Sequence, residues 1–354
     1  MTKVVLTCDQ LIVRNWSTAI FECFLEYFEF AEIYTLVHQP KKVLGPTELR
    51  RIHASYLSRM VNSIEDLFKW SMLIPGAAGG LPITCTADTI INISSGLSHG
   101  IKKCKNSKQI TYLIDELPWR QEVSFLRDRL FRARLKKWSL DQLSQVEELW
   151  VTNSTAADFY SKYVKHVEVL PPFFKNYEYP LFPSSQREKF PHDFVTIEAT
   201  DLPLNRAREL IEMLQHQNIK FKFVGFDDHL STLKNGSDDE RFYGPRCAGE
   251  MAPMLAASTA LIDVSDAPFP ENALATLSTG RPVLTLGKNH SKLNYSEGFN
   301  RFGNFEEMGE WIKQHLGNKF NDKALQWHKS VQPFGEIAFR AKLKSLLEQK
   351  NILN

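Results

Sequence analysis

Residues 259–287, TALIDVSDAPFPENALATLSTGRPVLTLG, set a proline-bounded turn before a helical stretch and between two apolar runs. Leu261, Ile262 and Val264 read as a short strand, Asp266-Ala-Pro-Phe-Pro as a turn, 272–279 as a helix and 282–286 as a second strand. Pro270 has no N–H to lose at a first helical position, and Gly280 suits a left-handed residue just past the helix end. A helix that starts at the carboxyl end of a strand points its free N–H groups outward, where open α/β sheets bind anions. A diphosphate fits that chemistry at Phe269, Pro270, Glu271 and Asn272. An ordinary crossover helix that binds nothing has the same local pattern.

Two carboxylates, Asp115 and Glu116, follow the apolar run 110–114, a strand end of the kind where such sheets place their chemistry; an acidic loop exposed to water reads the same way. Residues 125–138 read as a helix carrying Arg127, Arg129, Arg132, Arg134, Lys136 and Lys137. That helix suits peripheral contact with an anionic membrane surface, and equally a solvated face paired with nearby acids.

The elements that must position these groups alternate strand and helix. Strands are expected at 3–7, 33–37, 89–93 (ending at Ser94-Ser95-Gly96), 110–114, 149–153 and 167–170. Helices are expected at 19–28 and 154–163, and the stretch 46–73 reads as largely helical, with Leu49, Ile52, Tyr56 and Met60 at helical spacing until Pro75-Gly-Ala-Ala-Gly-Gly breaks it. The proline- and aromatic-rich stretch 171–191 marks a domain boundary. Beyond it come strands at 194–197, 221–224 (ending at Gly225) and 242–244, and helices at 206–216, 250–257, 305–316 and 337–349. The expected division is 1–175, 176–330 and a C-terminal helical segment, 331–354, packing back on the first domain.

With 354 residues the chain suits two α/β domains, and a net charge of +2 makes no case for nucleic acid as a partner. The five cysteines, Cys8, Cys23, Cys85, Cys104 and Cys247, are odd in number and never spaced as metal ligands, so free thiols and a reducing, cytoplasmic setting are expected. No Asp-x-Asp pair stands at a strand end, and neither a metal nor a cofactor is expected.

The segments AEIYTLV (31–37), INISSGLSHGI (91–101), LKKWSLDQLSQVEELWVTNSTAADFYSKYVKHVEVLPPF (135–173), FYG (242–244) and ATLSTGRPVL (275–284) resemble those of the GT-B glycosyltransferases, in particular the family-4 retaining, mannosyltransferase-like sugar transferases. The resemblance implies two Rossmann-like domains facing each other across a cleft. It also implies a nucleotide-sugar donor on the C-terminal side, its diphosphate at the helix start of the 259–287 motif, and a glycan or lipid-linked acceptor on the N-terminal side. On that basis the donor-side residues are Phe269, Pro270, Glu271, Asn272, Gly225 and Arg246, with Arg206 as a catalytic cation and Arg281 near the cleft. Asp115 and Glu116 are then directed at the sugar or acceptor, and Asp9, Asn15, Trp16 and Ser95 fall on the acceptor side.

The chain departs from the family pattern at the donor. The two glutamates of the family stand as Ala267 and Ala275, and its diphosphate-binding Arg and Lys fall at Glu198-Ala199 and Asn205, with Arg206 next to the latter. Asn15-Trp16 replaces a glycine pair, and Ile114 replaces a histidine. Asp9, ending the first strand, has the chemistry of a base for an inverting transfer and also that of a loop aspartate capping its own backbone. These losses make a catalytically degenerate relative that binds a glycan or a partner protein the second reading.

Overall fold

The computed structural model describes residues 3–114, 126–236, 239–265, 269–287 and 297–353; at 65, 68 and 126–132 only the backbone is described. The chain divides into two compact units, Met1–Pro172 with Phe339–Asn354, and Phe173–Ala338.

The first unit runs β1 (Val4–Leu11), α1 (Trp16–Tyr27), β2 (Ile33–His38), β3 (Ile52–Ala54), α2 (Ile64–Lys69), α3 (Ile74–Gly79), β4 (Thr89–Ser94), β5 (Lys108–Leu113), α4 (Leu126–Leu143), β6 (Glu148–Val151), α5 (Ser154–Tyr160) and β7 (Val167–Val169). Its seven strands lie parallel in the order β3-β2-β1-β4-β5-β6-β7. The central strands are buried along their length, β4 at every residue and β1 at all but one, as in a parallel sheet covered on both faces. Strand order reverses direction between β1 and β4, a topological switch point.

The second unit contains α6 (Ser184–Arg187), β8 (Phe194–Glu198), α7 (Leu204–His216), β9 (Lys220–Val224), α8 (Ala248–Ala257), β10 (Leu261–Ile262), α9 (Glu271–Ser278), β11 (Val283–Leu286), β12 (Phe299–Phe302), α10 (Phe305–His315) and α11 (Asn321–Ser330). Its five parallel strands are ordered β12-β11-β10-β8-β9, with the switch point between β8 and β10. The last helix, α12 (Glu336–Gln349), buries Phe339, Leu343, Leu346 and Leu347. Within the first unit, Arg340 bonds both Glu26 carboxylate oxygens at 2.5 and 2.9 Å, and Lys350 reaches Glu148 at 2.5 Å.

Several expectations are corrected. Residues 46–73 are not largely helical: 3-10 turns at Pro46–Leu49 and Tyr56–Arg59 flank edge strand β3, and only α2 is an α-helix there. Leu49 is 86% and Tyr56 48% exposed, so of the apparent apolar stripe Met60 rests on the core, whereas Ile52 gains ladder bonds beside β2. The Pro75-Gly-Ala-Ala-Gly-Gly stretch forms α3 instead of breaking structure, because Pro75 stands in its first turn and Ala77 and Ala78 are buried. Phe242 makes only an isolated bridge to Phe223, since its strand does not continue. The basic helix runs on to Leu143, whose burial extends the inward face of Leu135 and Ser139. Strand β12 and helix α11 had no counterpart among the sequence expectations.

The cysteines are not all free. Cys85 and Cys104 are joined, their Cα atoms 5.4 Å apart, while Cys8, Cys23 and Cys247 remain thiols. The sheet register explains the pairing: Thr89 on β4 aligns with Lys108 on β5, and each cysteine stands four residues before its strand's aligned residue. Parallel neighbours entered from the same end therefore bring the two side by side.

Candidate functional site

Each switch point gathers polar groups at the carboxyl ends of its two inner strands. In the first unit, Cys8 aligns with Ile93, which places Asp9 beside Ser94. The buried Asp9 carboxylate accepts from Ser94 Oγ at 2.7 Å and from the amides of Ser95 and Ser98 at 2.5 and 2.7 Å. Asp9 therefore organises the loop after β4, and its capping partners are that loop's amides, not its own. Ser95, half-buried, lines a pocket of about 30 Å³ with Asp9, Ser17, Thr18, Phe21 and Ile114, room for about two waters. Asn15 caps α1 through a capping box, accepting from Thr18 N at 3.3 Å, and Trp16 is the half-buried first residue of that helix. Asp115 and Glu116 lie outside the described residues.

In the second unit, Ile262 aligns with Ile197, so the next residue on each chain brings Asp263 beside Glu198. Both are buried, Asp263 to 1% and Glu198 to 5% exposure. Burial first, and then the Asp263 charge, push the Glu198 carboxyl up to about 8, against the lesser opposing effect of its bonds to Thr200 and Asn272. Glu198 Oε1 accepts the Thr200 amide at 2.8 Å. Asp263 Oδ1 accepts Ser265 Oγ at 2.8 Å. Gly225, at φ +95°, lets the backbone after β9 come close: a Cβ there would meet Thr200 Oγ1 at 2.5 Å and Glu198 Oε1 at 2.6 Å.

Arg206, on the first turn of α7, spans the same switch point, its Nη1 donating to the Val264 carbonyl at 2.9 Å. Asn272, on the first turn of α9, reaches Glu198 and so ties the helix start to the end of β8. Pro270 is the N-cap and Glu271 the first helical residue, one position earlier than the spacing predicts. Burial, then the Glu178 charge, raise the Glu271 carboxyl. Gly280 takes the expected left-handed conformation, φ +82°. Phe269 is buried, at 4% exposure.

Two arginines are not at the helix start. Arg246 is held by its own loop, Nε donating to the Tyr243 carbonyl at 3.0 Å and the guanidinium over the Tyr243 ring at 5.0 Å, with no bond to α9 among the described residues. Arg281 is wholly buried: it donates to the carbonyls of Ala256 and Asn318, both at 2.9 Å, and meets His192 Nε2 at 2.7 Å. It starts the run into β11, at the amino end of the sheet, so strand direction takes it away from the carboxyl ends.

The arrangement brings together Arg206, Gly225, Asn272 and the start of α9, and adds Glu198 and Asp263, which the donor-site expectations lacked. An acid closing an apolar run, as Glu198 closes FVTIE and Asp263 follows LI, is the same signal that singles out Asp115. With Glu198 largely uncharged near pH 7, Arg206 and the start of α9 stand among the described residues beside the acids Asp263 and Glu271, and the positive end of the helix favours an anion there.

No family model matches the chain, and no curated protein matches it. Solved structures do. Sucrose-phosphate synthase from Thermosynechococcus elongatus is 12% identical, with 99% of each chain covered and a TM-score of 0.72. HepE of Anabaena in complex with UDP is 13% identical over 98% of this chain and 100% of that one, TM-score 0.65. The lipopolysaccharide outer core galactosyltransferase WaaB, in its apo form, is 12% identical over 99% and 100%, TM-score 0.60. Two parallel Rossmann-like sheets, matched over their whole length to these structures, give the chain the α/β GT-B fold.

Proposed function

We propose that this protein is a glycosyltransferase that moves a sugar from a nucleotide-sugar donor to a glycan or lipid-linked acceptor in surface polysaccharide synthesis. The observation that carries this reading is the switch point of the second unit, where Arg206 and the start of α9 meet the ends of β8 and β10. The similar HepE of Anabaena is known in complex with UDP and with UDP-glucose, which supports a uridine diphosphate as the donor's leaving group.

In this reading the diphosphate lies against the first amides of α9, and Arg206 supplies the cation that stabilises charge on the departing phosphate. Glu198, uncharged at neutral pH, removes the repulsion that a second carboxylate beside Asp263 would exert. Gly225 lets the chain after β9 pack directly against Thr200 and Glu198 at the strand end. Asp115 and Glu116 are assigned by family resemblance to the sugar or acceptor, and Asp9 is a scaffold for the loop bearing Ser95.

Calorimetric titration with UDP and GDP, and with their sugar conjugates, tests the reading. Micromolar binding of one nucleotide supports it. Absence of binding at millimolar concentration leaves the non-catalytic relative as the better account.

A further inference from the structure

The amino end of the second sheet buries two cations that the donor site does not use. Arg187 ends α6 and is 7% exposed, and Arg281, which leads into β11, is fully buried. They meet at His192, just before β8, whose Nε2 lies 2.9 Å from the Arg187 carbonyl and 2.7 Å from Arg281 Nη2. The imidazole adds no charge: Nδ1 donates to the Ala257 carbonyl at 3.1 Å, Nε2 accepts from Arg281, and burial, then the Arg281 charge, hold the ring below its usual range. Arg281 also donates to the carbonyls of Ala256 and Asn318, the first of them at the carboxyl end of α8. Arg187 has no such support, since its Nε and Nη1 are shut off from solvent and bond to nothing among the described residues. Neither guanidinium has an ion-pair partner among the described residues. Burial, then the Arg187 charge, bring Arg281 down to about 10, so the two cations act on each other.

We propose that Arg187 and Arg281 form a binding site for a small inorganic anion of the chloride type. The end of α8 supplies about half a negative charge, so two guanidiniums leave an excess of about +1.5 in a buried place. Uncompensated charge of that kind is among the costliest things a fold can hold, and one monovalent anion removes most of it. The bare N–H groups of Arg187 ask for a ligand that only accepts hydrogen bonds, and their enclosure asks for a compact one. The site stands at the amino ends of β8 and β11, whereas Arg206 and the start of α9 stand at the carboxyl ends of β8 and β10, so it is separate from the donor site.

The test is thermal unfolding of the full chain in sodium chloride and in sodium gluconate at equal ionic strength, with the chloride NMR line width as the direct readout. Chloride is expected to raise the wild-type midpoint by about 3 °C or more over gluconate, and the protein to broaden the chloride line. Arg187→Met is expected to lose both responses and to unfold in gluconate no lower than the wild type, because it removes an unpaired buried cation. Arg206→Ala is expected to keep both. A wild type that does not distinguish chloride from gluconate overturns the proposal, as does an equal response from Arg187→Met. An Arg187→Met chain that unfolds well below the wild type in gluconate overturns it too, since the guanidinium would then be satisfied by the protein itself. Loss of the response in Arg206→Ala would move the anion to the donor site and overturn it as well.

Discussion

Gly225 and Glu198 are in a contact that no other residue at 225 permits: a Cβ there would stand 2.6 Å from Glu198 Oε1. The backbone at Gly225 is also left-handed, φ +95°. Gly225→Ala must both strain the chain and displace the buried carboxyl, so a loss of about 2–3 kcal/mol is expected in urea unfolding. A loss within error of zero means that Glu198 is free to move, and the site is then not built as described.

Glu198 makes stability depend on pH. Its carboxyl is raised to about 8 in the folded chain from an ordinary 4.5, so the folded state holds a proton that the unfolded state releases. The contribution is fully present below the ordinary value and is lost as pH rises through that window to the folded value. Stability should fall by up to about 1.4 kcal/mol per pH unit across it. Glu198→Gln, which cannot ionise, should flatten that part of the profile and gain on the wild type as pH rises. Parallel slopes for the two proteins would show that Glu198 is ionised throughout.

Asp9 holds three donors, Ser94 Oγ and the amides of Ser95 and Ser98. Asp9→Ala removes the acceptor of Ser94 Oγ and of the Ser95 amide and leaves the Ser98 amide only its longer bond to Ser94 Oγ at 3.2 Å, so a cost of about 2–3 kcal/mol is expected, with Asp9→Asn intermediate. Thermal unfolding of both variants measures this. If Asp9→Ala unfolds like the wild type yet loses sugar transfer, Asp9 is a reacting group and its scaffold role is wrong.

The Cys85–Cys104 bond predicts a thiol count. Under denaturing conditions, Cys8, Cys23 and Cys247 should react with a thiol reagent before reduction, and all five cysteines after it. Closing a loop of sequence separation 19 is worth about 3 kcal/mol, so Cys85→Ser/Cys104→Ser should lower stability by that order. Five reactive thiols in the unreduced protein would contradict the pairing.

What the sequence reveals here is what local chemistry decides. The start of α9 and the left-handed Gly280 are written into a dozen consecutive residues, because capping and glycine conformation need no distant partner. Alternating apolar runs likewise disclose most strands of both sheets. The Glu198–Asp263 pair is hidden, because only the strand order, which sets β10 beside β8, brings two distant residues into one register. The disulfide is hidden for the same reason, through β4 and β5. Arg281 misleads because its neighbours in sequence point to the donor site, whereas its burial against His192 is a tertiary event. Residues 46–73 mislead in the opposite way: helical spacing alone does not make a helix when Leu49 and Tyr56 have nothing to pack on.

The measurement that reaches the central claim most directly is calorimetric titration of UDP into the wild type and into Arg206→Ala. One charge-assisted contact is worth about 1.5–3 kcal/mol, so the variant should bind about tenfold to a hundredfold more weakly while keeping the wild-type unfolding midpoint to within a few degrees. Tight UDP binding that Arg206→Ala leaves unchanged would contradict the account, because the nucleotide would then lie somewhere other than the β8–β10 switch point.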